Sequence, residues 1–141
     1  MSSSSLQATI YLNEARAETL TNELTDNSMD LRLLQKHTSN EIAQIRQQYK
    51  PEKDRINNKI EGLDKIEQQE EYQDLLTELR ELKEEEEEKI ATVEEKLSDQ
   101  ETEFQTENEL LEVQLEDINT QTESFKEMLK QNIEDNFGYF Q

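Results

Sequence analysis

Ile90, Leu97, Phe104, Leu111, Ile118 and Phe125 fall seven residues apart without a slip, separated mostly by Glu, Gln, Thr, Asn and Asp. A strict seven-residue apolar repeat draws one stripe along a helix. The mismatch between seven residues and two turns of 3.6 makes such a stripe wind around a neighbouring helix. Three residues after each member stand Val93, Gln100, Glu107, Gln114, Gln121 and Met128. In a strong two-stranded coil this companion column is apolar; here its four middle members are polar. Burying an unpartnered amide costs about 1–3 kcal/mol, and burying the charge of Glu107 unpaired costs more. The expectation is a seam that is weak as a dry interface and informative about register. Its polar groups would lie at the rim of a narrow two-stranded contact or line a wetter, wider assembly. Two copies of Glu107 face to face would repel, which counts against an in-register parallel pair.

A second set of columns precedes this one. Ile10, Ala17, Leu24, Leu31, Thr38 and Ile45 are spaced by seven, with Leu6, Leu20 and Leu34 alternating with Asn13 and Asn27 beside them. Ser5 is the candidate N-cap of this first helix, its hydroxyl accepting a free N–H of the first turn. Asp26, Asn27 and Ser28 are poor helix formers, but the apolar column keeps its phase through them, so a continuous or briefly frayed helix is expected. Lys50-Pro51 is stronger punctuation. Pro51 has no N–H for the carbonyl of Gln47, at a cost of about 3 kcal/mol inside a helix, and it disfavours helical geometry at Lys50. A break or sharp kink is therefore expected there, even though Ile42, Tyr49, Ile56 and Leu63 keep their spacing across it.

The next irregularity is a phase slip. Leu63 and Leu76 are 13 residues apart and Leu76 and Ile90 are 14 apart, with Gly62 at the edge of the slip and Gln68-Gln69-Glu70-Glu71 filling it. This is a place to turn. Charge favours the turn: residues 67–117 hold 21 acids against four bases, whereas residues 1–66 hold 10 acids and nine bases. Folding back lays Arg46, Lys50, Lys53, Arg55, Lys59 and Lys65 along the acidic block. A straight parallel dimer instead sets two acidic blocks side by side, at a few tenths of a kcal/mol for each close pair. Glu84–Glu88 circles a helix completely, so one of the five must face the seam. Glu86, seven residues from both Leu79 and Val93, is that one, and Glu85 pairs with Lys89 along the surface.

Composition decides the class. Charged residues make up 35% of the 141 residues and apolar ones 31%, with a net charge of −20. Such a balance usually means disorder, but the periodicity and the helix-forming Leu, Ile, Glu, Gln and Lys argue otherwise. Two Gly and one Pro are too few for the turns of a β-fold. The fold class expected is all-α: long helices forming a coiled coil or helical hairpin, elongated rather than globular. The expected division is a helical segment over residues 1–50 and a long acidic coiled-coil segment over 51–141 with an aromatic tail, with 62–71 as a candidate turn.

Catalytic chemistry finds no apparatus in this sequence. His37 is the only histidine and there is no cysteine, so no metal cluster can be assembled from those ligands. Neither glycine has a near neighbour to make a phosphate loop, and paired carboxylates need a cleft to separate their environments. No enzyme activity and no cofactor are expected. Naked nucleic acid is an unsuitable partner for an acidic surface. No stretch approaches the ~20 apolar residues of a membrane span, and the N-terminus lacks a cleavable secretory pattern. The location expected is cytoplasmic or within an assembled particle.

The candidate packing residues are Ile10, Leu24, Leu31, Ile42, Tyr49, Ile56, Leu63, Leu76, Leu79, Ile90, Val93, Leu97, Phe104, Leu111, Ile118, Phe125 and Leu129. Phe137, Tyr139 and Phe140 form an aromatic cluster, a candidate anchor in a partner's pocket, with Gly138 as a candidate helix-ending cap. The function expected is a coiled-coil structural or assembly subunit, partnered with itself or other protein subunits: a virion or assembly scaffold, or a secretion filament. The alternatives are an acidic helical chaperone or adaptor that clasps a basic or aggregation-prone protein and, more remotely, a nucleic-acid mimic.

Overall fold

The computed structural model describes residues 2–139, with side chains through 137. It consists of two helices, α1 (Ser3–Glu61) and α2 (Gln69–Tyr139), packed against each other as a helical hairpin, with no strand among the described residues. The cap of α1 is Ser2 rather than Ser5. Ser2 Oγ accepts the N–H of Ser5 at 3.1 Å, and Ser2 C=O accepts that of Leu6 at 2.9 Å. The serine run offers several hydroxyls, and the one just before the helix takes the role by reaching the N–H three residues on.

α1 does not break at Lys50-Pro51; Pro51 lies inside it. Both Pro51 and Gln47 are exposed, so the carbonyl that loses its N–H partner faces water, which can replace the bond. The face opposite is held by Tyr49 and by Ile56, which is 0% exposed. Burying each of two such side chains contributes roughly 1.5–3 kcal/mol, enough to offset the proline. The expected boundary at residue 50 therefore lies instead in the connection after Glu61.

That connection is short and well bonded. α1 closes with Gly62 N–H on Asn58 C=O at 3.2 Å and Leu63 N–H on Ile60 C=O at 3.2 Å. The Asp64 carboxylate then accepts the N–H groups of Ile66 and Glu67 at 3.0 and 3.2 Å, while Asp64 N–H donates to Gln68 Oε1 at 3.1 Å. This reciprocal arrangement resembles a capping box and launches α2. Glu70 and Glu71 in its first turn lie where a helix dipole favours negative charge. At its other end α2 continues through Gly138 to Tyr139, so no left-handed cap ends it at Gly138.

Two units divide the hairpin, each taking one stretch of each helix: Met1–Leu31 with Thr102–Gln141, and Arg32–Glu101. In the first, Leu20, Leu111 and Ile118 form a buried cluster with Ala17, Leu24 and Leu115 packed against it. The seam residues of α1 here, Leu6, Ile10, Asn13, Ala17, Leu20, Leu24, Asn27 and Leu31, advance by alternate steps of four and three. In the second unit, Ile56, Leu75 and Leu79 are buried together, flanked by Ile60, Leu63 and Leu82. Its seam departs from the alternation. α1 steps Leu34, Thr38, Ile42, Ile45 and α2 steps Val93, Leu97, Glu101, each with two successive fours. Such a stutter locally unwinds the supercoil.

Candidate assembly surface

The polar layers of the seam are built one by one from side chains that alternation turns inward. In the first unit Asn27 Nδ2 donates to Asn108 Oδ1 at 3.0 Å across the seam. Asn13 Nδ2 is enclosed without an acceptor, and Lys126 lies 3.3 Å from Glu14 on the surface. In the second unit Glu86 is 2% exposed. Its Oε2 accepts from Lys53 Nζ at 2.6 Å, and its Oε1 lies 3.7 Å from Arg46, too far for a hydrogen bond. The folded-back basic cluster thus meets the acidic helix: Arg46 also reaches Glu87 at 3.6 Å, and Arg55 reaches Glu78 at 3.5 Å and pairs with Glu52 on its own helix. The hydrogen bond from Arg55 holds the Glu52 carboxyl below its usual range. One layer on, Lys89 Nζ lies 5.1 Å from the Tyr49 ring centre, and the Tyr49 side chain beside it raises its pKa.

Most of the sequence-derived packing residues lie along this seam. Ile10, Tyr49, Ile56, Leu79, Ile90, Leu111 and Ile118 are buried, and Leu24, Leu31, Ile42, Leu63, Val93, Leu97, Phe104, Phe125 and Leu129 are half-buried. Leu76 is the exception, at 36% exposure, with Leu75 buried in its place. The two leucines are adjacent, and Leu75 sits four residues before Leu79, on the inner face. The companion column also moves. Glu107, Gln121 and Met128 are exposed, and from Phe104 onward the seam runs through Asn108, Leu115, Thr122 and Leu129, four rather than three residues after Phe104, Leu111, Ile118 and Phe125. That choice exchanges an unpaired carboxylate for an asparagine with a partner and brings in two leucines. Phe137 is exposed, while the side chains of Tyr139 and Phe140 lie outside the described residues.

Between Leu34 and Ile45 on α1 the only buried side chain is Thr38, at 7% exposure. Beside it opens a groove of roughly 580 Å³, floored by Leu34, Thr38, Val93 and Leu97 and rimmed by Glu41 and Lys96. Glu41 and Lys96 reach the groove from opposite helices, and both are exposed. Neither forms an ion pair among the described residues, in contrast to the Arg46, Lys53 and Arg55 pairs.

No described helix is long and apolar enough to cross a membrane. The chain matches no family model, no curated protein and no solved structure.

Proposed function

We propose that the chain is a non-enzymatic structural subunit that self-associates, acting as a scaffold component or packing element of a larger particle, in the cytoplasm or within that particle. One observation carries this reading. The hairpin leaves its own seam residues half-covered: Phe104, Phe125, Val93 and Leu97 are only half-buried and still face water. Two helices alone cannot enclose such columns, whereas further helices can. Large apolar side chains outside the seam, among them Leu12, Leu33 and Val113, add to the surface that association would cover.

Sedimentation of the pure chain across micromolar to submillimolar concentration tests the proposal. The expected result is a mass at a multiple of 16.7 kDa that grows with concentration. A monomer throughout the range would overturn it.

A second reading is favoured by charge. Residues 97–125 carry nine acids and no base, a surface suited to a basic protein partner, as in an acidic chaperone or adaptor. It predicts a salt-sensitive complex with a basic protein and no larger homotypic assembly.

A further inference from the structure

We propose that a second copy of the chain docks in the groove floored by Leu34, Thr38, Val93 and Leu97, so that two hairpins close into a four-helix bundle with each α1 antiparallel to its partner's α2. This proposal rests on the self-association put forward above and specifies its geometry. The groove exists because the stutter on both helices falls on a small polar side chain: Thr38 occupies the inner position where a leucine would fill the layer. Leu34, Val93 and Leu97 give its floor apolar surface that an apolar cover would take from water.

Charge identifies that cover as the chain itself. Over residues 32–59 α1 carries seven bases and three acids, whereas over residues 70–101 α2 carries 14 acids and four bases. Over these two stretches a copy that places its α1 on this α2 sets unlike charge against unlike, and a copy that pairs α2 with α2 sets like against like. The rim repeats the logic with local signs reversed. Glu41 stands on α1 and Lys96 on α2 at the same groove, unpaired with each other. A two-fold axis running along the groove makes the contact isologous. Each Glu41 then meets the other copy's Lys96, and each Lys96 meets the other copy's Glu41, giving two ion pairs from one surface. A bundle of this kind is a common solution for antiparallel helices with half-covered apolar columns.

Charge reversal on the full chain tests the proposal. Analytical ultracentrifugation of Glu41→Lys and of Lys96→Glu is expected to show association weakened by about tenfold or more in each, since each sets two like-charged pairs face to face. An equimolar mixture of the two variants should recover wild-type association, because mixed dimers restore both pairs, one native and one with its signs exchanged. A second readout does not depend on the charges. The chain has no cysteine, so mixing a Glu41→Cys chain with a Lys96→Cys chain under oxidation should give a disulfide-linked heterodimer. If the wild type associates while the single variants match it, or the mixture fails to recover, or no cross-link forms, the groove interface is wrong and self-association survives elsewhere on the surface. If the wild type is monomeric at every concentration, both proposals fall.

Discussion

Glu86 shows how a single residue can specify an arrangement at the expense of stability. It stands in the inner row between Leu82 and Ile90, where leucine would pack, and Lys53 Nζ lies 2.6 Å from its carboxylate. Taking both charges from water costs several kcal/mol per ion, and the attraction between them rarely returns more than it took. The pair nevertheless favours the layer of α1 that meets this layer of α2, since a register that sets Glu86 against an apolar side chain leaves its carboxylate without a partner. Glu86→Leu should therefore leave the hairpin as stable or raise its stability by about 1–3 kcal/mol, with looser register. Lys53→Met, which abandons a buried carboxylate to the distant Arg46, should cost about 2–3 kcal/mol. Urea denaturation of both variants checks the contrast, and a destabilised Glu86→Leu would show that the ion pair is a net source of stability. Both variants delete the same contact, yet only Lys53→Met leaves a buried carboxylate without its partner.

At the scale of elements, the connection between α1 and α2 separates two kinds of contribution. Gly62 ends α1 without a positive φ, and a Cβ there would meet only backbone oxygens at 3.7 Å, an ordinary contact. Its flexibility serves nothing in the folded chain, so Gly62→Ala should stabilise by about 0.4–1 kcal/mol through the unfolded state. Asp64 is the opposite case. Asp64→Ala removes two hydrogen bonds at the start of α2 and should cost about 1 kcal/mol. Shifts of the urea midpoint in opposite directions, at unchanged slope, are the expected result. The turn itself was legible in the sequence as a phase slip with a charge reversal across it. The continuity of α1 through Pro51 was not, because the cost of proline is local while the seam that outweighs it depends on a helix farther along the chain. For the same reason the apolar column Ile90–Phe125 could be read directly, but not whether its companions stood three or four residues on. The column marks one edge of the buried stripe, and only the facing helix decides on which side the stripe widens. Leu75 and Leu76 pose that ambiguity at its smallest.

For the whole molecule, charge is the dominant fact. Nine ion pairs are formed among the described residues, several at exposed positions worth a few tenths of a kcal/mol each, against a net charge of −20. Like-charge repulsion acts over a Debye length of about 30 Å at 0.01 M salt and about 8 Å at 0.15 M. Screening should therefore relieve more repulsion than attraction. The thermal midpoint, followed by circular dichroism at 222 nm, is expected to rise by several degrees between those salt concentrations; a fall would mean that the cross-helix pairs dominate. The candidate assembly surface was only partly legible at this scale. Its apolar columns stood out by period, but the groove did not. It arises from a stutter in each helix around Thr38, and a sequence reading that follows one helix at a time has no means of seeing the two align.

The seven residues that join the helices also order the contacts by the length of chain each must enclose. The Lys53–Glu86 pair closes over 33 residues and the Asn27–Asn108 pair over 81, a difference of roughly 0.8 kcal/mol in loop entropy if each had to form alone. Contacts nearest Asp64 are thus the least expensive to make from the unfolded chain, and each one made shortens the loop left for the next. Pairing that begins at the bend can travel outward like the closing of a zip, with Glu14 and Lys126 among the last to meet.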